Sequence, residues 1–232
     1  MKTVCFGDIH GLSIWEGILD KEKPDKVVFL GDYFDPYKSE LNLTMYDNFD
    51  AILNLKDTLQ DKCILLIGNH DFHYITNLDQ SSRWSYMTHK RVSKMLRILY
   101  TRGDIVFAHQ QGKYLFTHAG VNKFWLRERA KLDCEDFTAD QINKLPLHLF
   151  GFDAYSNDVY GNDPLQSPIW VRPKTLLLNP IEGFTQVVGH TMTPMPIAPG
   201  HPEVLFMDRL SLGQYLVIDN EDEYTIKKYD EK

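Results

Sequence analysis

Two aspartates, one asparagine and three histidines stand where metal chemistry would want them, each just past a short apolar run. "KTVCF" leads into Asp8-Ile9-His10-Gly11, and "KVVFL" into "GDYFD" with Asp32 and Asp35. "KCILLIG" leads into Asn69, His70 and Asp71. Two later runs end in "THAG" with His118 and "VGHT" with His190. Mixed oxygen and imidazole donors suit Zn, Fe, Mn, Co or Ni rather than Ca. Asp8, His10, Asp32, Asn69, His118 and His190 exceed the needs of one ion. They fit two ions about 3.5–4 Å apart that share a carboxylate and a water. His70 and Asp35 are left as helpers. Gly7, Gly31, Gly68 and Gly189 each precede a ligand, which predicts sharp exits from the strands and close approach of backbone to the ions.

Taken singly, these motifs say little. "GDIHG" reads equally as a turn with a helix N-cap, and "GDYFDPY" and "GNHD" as plain turns. A lone histidine at a strand end is more often structural. The joint reading rests on their coincidence at five successive strand ends. His73, His89, His109, His148 and His201 do not share it and are read as structural or exposed, with His73 close enough in sequence to line a cleft.

The elements that must position these groups follow from periodicity. "TVCF", "KVVFL" and "KCILLIG" are β-rich runs, and the last, almost wholly apolar, suits a sheet covered on both faces. Between the first two, Ile14, Trp15, Ile18 and Leu19 have helical spacing behind Ser13, a plausible N-cap. Helical patterns recur at Met45–Leu59, at Thr88–Tyr100, in "FWLRERAKL" and in "FTADQINKL". "DIVFAHQ", "KYLFTHAG", "TQVVGHT", "EVLFMD", "GQYLVIDN" and "EYTIKKY" are short strands. The first part is therefore βαβ-like and the last mostly strands. A single domain over residues 1–232 is expected, with one mixed sheet or two packed sheets flanked by helices. Ligands in such sheets bind beyond the carboxyl ends of strands, which gathers the five motifs at one crevice.

Composition narrows the partners. The net charge of −7 leaves no footprint for duplex nucleic acid. It does not exclude a small anionic substrate, because a bound metal reverses the local field. Cys5 and Cys63 lie in apolar runs and Cys134 in an acidic stretch, which argues against a disulfide framework and for a reducing, cytoplasmic setting. No signal-peptide pattern and no membrane-spanning apolar run is visible, so no membrane partner is expected.

The series GDIHG, GDYFD, GNHD, THAG and GHT resembles the calcineurin-like metallophosphoesterases. It is most similar to their phosphoprotein-phosphatase branch, which includes bacterial diadenosine-tetraphosphate hydrolases. The resemblance runs from Asp8 to Thr191, and five weak motifs in order make it specific. It implies an α/β (α+β) fold, a four-layer α/β/β/α sandwich of two mixed β-sheets flanked by helices. It implies that Asp8 and His10 hold a first ion, that Asp32 bridges, and that Asn69, His118 and His190 hold a second. Manganese comes first among Mn, Fe, Zn, Co and Ni. His70 is implied as the general acid or a phosphate contact, with Asp35 orienting it. A carboxylate on one imidazole nitrogen fixes the tautomer and favours the protonated form. The implied reaction is hydrolysis of a phosphate monoester, a small phosphorylated molecule or phosphopeptide, by metal-activated hydroxide attacking phosphorus in line. A phosphodiesterase or dinucleoside-polyphosphate hydrolase is the alternative. A protein-binding scaffold of the same fold, as in the retromer subunit, ranks last because His70 and Asp35 are present.

The chain also departs from that branch. Protein phosphatases carry "GDYVDRG", whose arginine grips phosphate; here "GDYFDPY" has Pro36 instead, and "GNHDFHY" lacks a following arginine. "SPIWVRP" resembles a Trp-x-Arg element of bacterial relatives through Trp170 and Arg172. Arg172 is thus the expected phosphate anchor, since a planar fork matches phosphate oxygens, against the plainer alternative of a surface ion pair. Arg83 and Arg91 are weaker candidates for closing over substrate. The Trp84/Tyr86 cluster and "LHLFGFDAYSNDVY" suggest either a substrate platform or buried aromatic packing, and packing is favoured.

Overall fold

Alternation along the first strand explains the layering. In β1 (Lys2–Phe6), Val4 and Phe6 point to one face and Cys5 to the other, and all three are fully buried. A strand apolar on both faces needs a cover on each. In the computed structural model, which describes residues 1–78, 83, 86–153, 158, 160–220 and 223–230 (side chains of 86–88 excepted), both covers are seen.

The first sheet contains β1, β2 (Lys26–Phe29), β3 (Cys63–Leu66), β4 (Ile105–Val106), β10 (Gln214–Asp219) and β11 (Glu223–Lys228), in the order β11-β10-β1-β2-β3-β4. The β1-β2-β3-β4 run is parallel, while β10 and β11 join antiparallel. The helices α1 (Ile14–Glu22), α2 (Met45–Leu59) and α4 (Tyr86–Arg102) cover its outer face. Trp15, Ile18, Phe49, Ile52, Val92 and Leu96 pack there on Val4, Phe6, Phe29 and Leu65. The second sheet has the order β5-β6-β7-β9-β8, from β5 (Ala108–Gln111), β6 (Tyr114–Thr117), β7 (Thr185–Val188), β8 (Ile197–Ala198) and β9 (His201–Phe206). It too is mixed: β6, β7 and β9 are parallel, with β5 and β8 antiparallel at the edges. Cys5, Val28, Leu30 and Leu66 meet Tyr114, Phe116, Val187 and Leu205 between the sheets. Leu176, from the short helix α6 (Pro173–Leu176), packs with Val188, Val204 and Phe206 on the far face. Two mixed sheets are therefore flanked by helices, as the resemblance implied.

Several elements differ from the expectations. "DIVFAHQ" is not one strand: β4 ends the first sheet and β5 begins the second, with Phe107 at the crossing stacked on Phe150 at 3.6 Å. "FWLRERAKL" contains a five-residue π-helix at Trp125–Arg129. "FTADQINKL" keeps only α5 (Ala139–Asn143), capped by Thr138, whose hydroxyl accepts from the Gln141 N–H while Gln141 accepts from the Thr138 N–H. Ser13 occupies the N-cap position of α1 without a side-chain cap bond. The "GNHD" motif opens a helix, α3 (Asn69–Thr76), so Asn69 and His70 lie in its first turn. Trp84 and residues 154–157 and 159 of the aromatic stretch lie outside the described residues, as does the side chain of Tyr86. Among the described residues no helix is long and apolar enough to cross a membrane.

Candidate metal centre

The parallel strands of each sheet bring their carboxyl ends to one edge, and the exit loops lock together there. The His10 N–H donates to the Asp32 carbonyl at 2.7 Å, and the Gly189 N–H to the His118 carbonyl at 2.7 Å. Asp71, at the start of α3, accepts from the backbone N–H groups of Asp32 (2.7 Å), Gly68 (2.9 Å) and Tyr33 (3.1 Å). It thereby ties the second and third exit loops to each other. Burial nonetheless pushes its carboxyl up to about 7. His10, Asp32, Asp35 and His190 all have left-handed backbones, with φ of 41°, 55°, 57° and 64°. Such conformations cost energy in non-glycine residues and persist only where surroundings enforce them, commonly at functional sites.

At two of the expected positions the glycines let the second and third exit loops approach each other. Gly31 has φ +106°, and a Cβ there would lie 2.5 Å from the Gly68 nitrogen. A Cβ on Gly68 would run into the Asp32 side chain and backbone. Gly68→Ala is therefore expected to displace Asp32, lower bound metal and destabilise the fold by about 1–3 kcal/mol. Metal analysis beside a thermal melt checks this; unchanged metal content would show that Asp32 tolerates the shift.

The histidine tautomers are set from behind. His10 Nδ1 lies 2.7 Å from the Phe34 carbonyl and His118 Nδ1 2.8 Å from that of Leu30. A carbonyl accepts only, so both rings carry the proton on Nδ1 and aim a lone pair from Nε2 into the crevice. Both Nε2 atoms lie 3.5 Å from Oδ2 of Asp32. Asn69 Oδ1 lies 3.0 Å from His118 Nε2 and 2.8 Å from His190 Nδ1. Asp8 Oδ1 accepts from the His190 N–H at 2.9 Å. All six expected ligands thus meet at one crevice. Two ligand-competent groups have donor atoms within 4.8 Å of one another: Asp8, Asp32 and His118, and His10, Asp32 and His70. Asp32 belongs to both.

Electrostatics fit a cation. Burial drives His10 and His118 down to about 3 and His190 well below its ordinary value, so all three are neutral donors. Burial first, then neighbouring carboxylates, pushes Asp8 and Asp32 well above the usual carboxylate range. Neutral imidazoles facing crowded, destabilised carboxylates form a donor set that a transition-metal ion relieves.

His70 stands beside this set. Its Nδ1 lies 2.9 Å from Oδ2 of Asp35, whose Oδ1 accepts from the Tyr74 hydroxyl at 2.6 Å. The expected pairing with Asp35 is present, yet His70 is lowered to about 3, by burial first and then by Arg83 and Arg172. Desolvation and two facing cations outweigh the carboxylate in the free protein.

Among the described residues Arg172 makes no ion pair. Its Nη1 donates to Thr191 Oγ1 at 2.9 Å and its Nε to the Tyr160 carbonyl at 2.8 Å. It lines a cleft of about 480 Å³ with Asp8, His10, His190 and Asp208. Arg83 also reaches the site, with Nη2 3.3 Å from His70 Nε2. Arg91 does not: it lies over the Tyr46 ring at 4.1 Å, and its nearest carboxylate is Asp50 at 3.9 Å. His73 lies behind Asp35, its Nε2 3.7 Å from Oδ2, rather than in the cleft wall. Sequence reasoning passed over Asp208, whose carboxyl burial pushes up to about 6 beside the cleft. The signal was available, because Asp208 ends "EVLFMD", a sixth strand with a polar residue just beyond it. Asp71 stands in "GNHD" at such a strand end but was given no role, and Tyr37 and Tyr74 had no such signal.

The calcineurin-like phosphoesterase profile matches residues 1–194. The chain belongs to that family. No curated protein matches it. Among solved structures it is similar to a cold-active protein-tyrosine phosphatase of a psychrophilic Shewanella species, with a TM-score of 0.63, 19% identity, and 95% of this chain and 76% of that chain covered. It is similar to a Saccharomyces cerevisiae protein serine/threonine phosphatase related to human phosphatase PP5, with a TM-score of 0.60, 12% identity and coverages of 100% and 81%. A putative diadenosine tetraphosphatase also matches, with a TM-score of 0.53, 13% identity and coverages of 99% and 95%. At these identities the likeness is one of fold.

Proposed function

We propose that the protein is a dinuclear-metal-dependent, serine/threonine-phosphatase-like phosphomonoesterase. It acts on a small phosphorylated molecule or a phosphopeptide, as one domain over residues 1–232. The observation that carries this reading is the position of Asp32, whose Oδ2 faces His10 from the first sheet and His118 from the second at equal distance. Asp8, His10 and Asp32 would hold one ion, and Asp32, Asn69, His118 and His190 the other, with manganese the first choice. When bound, such ions polarise phosphoryl oxygens and lower the pKa of water at the site. Arg172 orients the phosphate from the cleft wall. His70 carries the proton for the leaving oxygen on Nε2, with Nδ1 held by Asp35. The substrate's own negative charge favours the imidazolium that the free protein disfavours. The three cysteines are unpaired and Cys5 and Cys63 are buried, in keeping with a cytoplasmic setting.

The test is hydrolysis of p-nitrophenyl phosphate beside bis-p-nitrophenyl phosphate after reconstitution with Mn²⁺. Preference for the monoester is expected. Preference for the diester would favour the phosphodiesterase reading and direct the search to cyclic nucleotides, with dinucleoside polyphosphates assayed separately. Two bound ions without turnover of either ester would favour the scaffold reading. Arg172→Ala is expected to raise KM and lower kcat/KM by about 10–100-fold with metal content unchanged. Wild-type kinetics in that variant would place the phosphate anchor elsewhere.

A further inference from the structure

Arg83 sits in the chain between α3 and α4, yet its guanidinium returns to the centre. Three different residues hold it there. Its Nε donates to the Asp35 carbonyl at 2.9 Å, its Cζ lies 3.7 Å from the centre of the Tyr37 ring, and its Nη2 is 3.3 Å from His70 Nε2. A long, exposed cationic side chain loses rotamer freedom in such an arrangement, so the position is a built one. Among the described residues Arg83 makes no ion pair. Its guanidinium ends beside His70, next to Tyr37 of the cleft wall, with no carboxylate paired to it among the described residues. Pro36, next to the carbonyl that anchors it, offers no charge of its own.

We infer that Arg83 is a second phosphate-gripping arginine, in addition to Arg172, that selects the dianionic terminal phosphoryl group of a monoester over a diester. This rests on the phosphoesterase reading. A monoester dianion has three non-bridging oxygens and two charges, whereas a diester has two such oxygens and one charge. A second guanidinium fork finds a partner only on the former. The contact to His70 is long, at 3.3 Å, and ends on an imidazole nitrogen. A phosphate oxygen offers a shorter, charge-assisted bond and wins Nη2 away. That exchange also frees His70 Nε2 for the leaving oxygen. Tyr37 is the positioning residue, holding the guanidinium plane by stacking.

The experiment compares wild type, Arg83→Ala, Arg83→Lys, Tyr37→Ala and Tyr37→Phe, all reconstituted with Mn²⁺. It reads kcat/KM on p-nitrophenyl phosphate and on bis-p-nitrophenyl phosphate, inhibition by inorganic phosphate, and bound metal. Arg83→Ala is expected to lose about 100-fold on the monoester and under about fivefold on the diester, and to weaken phosphate inhibition by about tenfold. Metal content stays at the wild-type value. Lysine restores charge without the fork and recovers part of the loss. Tyr37→Ala loses monoester preference in part, and Tyr37→Phe, which keeps the stacking face, retains it. Equal losses on both esters, or phosphate inhibition unchanged in Arg83→Ala, would overturn the assignment while leaving the phosphomonoesterase reading intact. A wild-type protein that hydrolyses neither ester would overturn both.

Discussion

Asp32→Asn is expected to lose both metal ions and at least about 10³-fold in kcat, beyond the roughly 10–100-fold typical when a residue only supports a ligand. The two oxygens of Asp32 have separate duties. Oδ1 accepts from the His70 N–H at 2.9 Å, and Oδ2 faces the Nε2 atoms of His10 and His118. Asparagine can keep the first duty. It then places an NH₂ group where the two proposed ions would need a shared oxygen. The metal-free fold should survive, because the substitution removes a buried carboxylate crowded by Asp8 and Asp71. Its melting temperature without metal should match or exceed that of the wild type. Metal quantification decides the matter: full dinuclear occupancy in Asp32→Asn would sink the bridging assignment.

His70→Ala should slow hydrolysis of alkyl phosphates by about 10²–10⁴-fold, the usual contribution of a positioned general acid. On p-nitrophenyl phosphate the loss should be much smaller, since that leaving group departs without protonation. Equal losses on both would argue against proton donation. Metal content tells a second story, because His70 groups with His10 and Asp32 as a ligand-competent set. If the variant binds one ion fewer, His70 is a ligand and not the acid. If it keeps both, its Nδ1 contact with Asp35 at 2.9 Å is the one that matters, supported by Tyr74 behind it.

Much of the site was legible because its signals are local. An apolar run followed by glycine and a metal-competent side chain marks a strand end, and five such ends in one chain predicted a common crevice. Asp8, His10, Asp32, Asn69, His118 and His190 are brought together there. The arginines were harder. Arg83, Arg91 and Arg172 each had a case from position, but a long side chain can reach several places from one backbone. Only packing separates Arg83, stacked on Tyr37, from Arg91, stacked on Tyr46 at the surface. The division of "DIVFAHQ" between two sheets was hidden for a similar reason. Periodicity marks extended chain but not which edge it pairs with, and Phe107 crosses where Phe150 accepts it.

By itself, then, the sequence determined the six candidate donors, their order along the strands and an α/β class flanked by helices, because hydrophobic alternation and strand-end motifs are short-range; that reading of the residues left one sheet or two open. The tertiary structure decided the rest. It set which imidazole nitrogen faces inward, through the Phe34 and Leu30 carbonyls, and turned Asp71 into the clamp between exit loops. It also buried His70, and added two nearby arginines, so that the imidazole is held neutral. Tautomer, desolvation and field depend on atoms distant in sequence, and only the packing of the two sheets brings those atoms together.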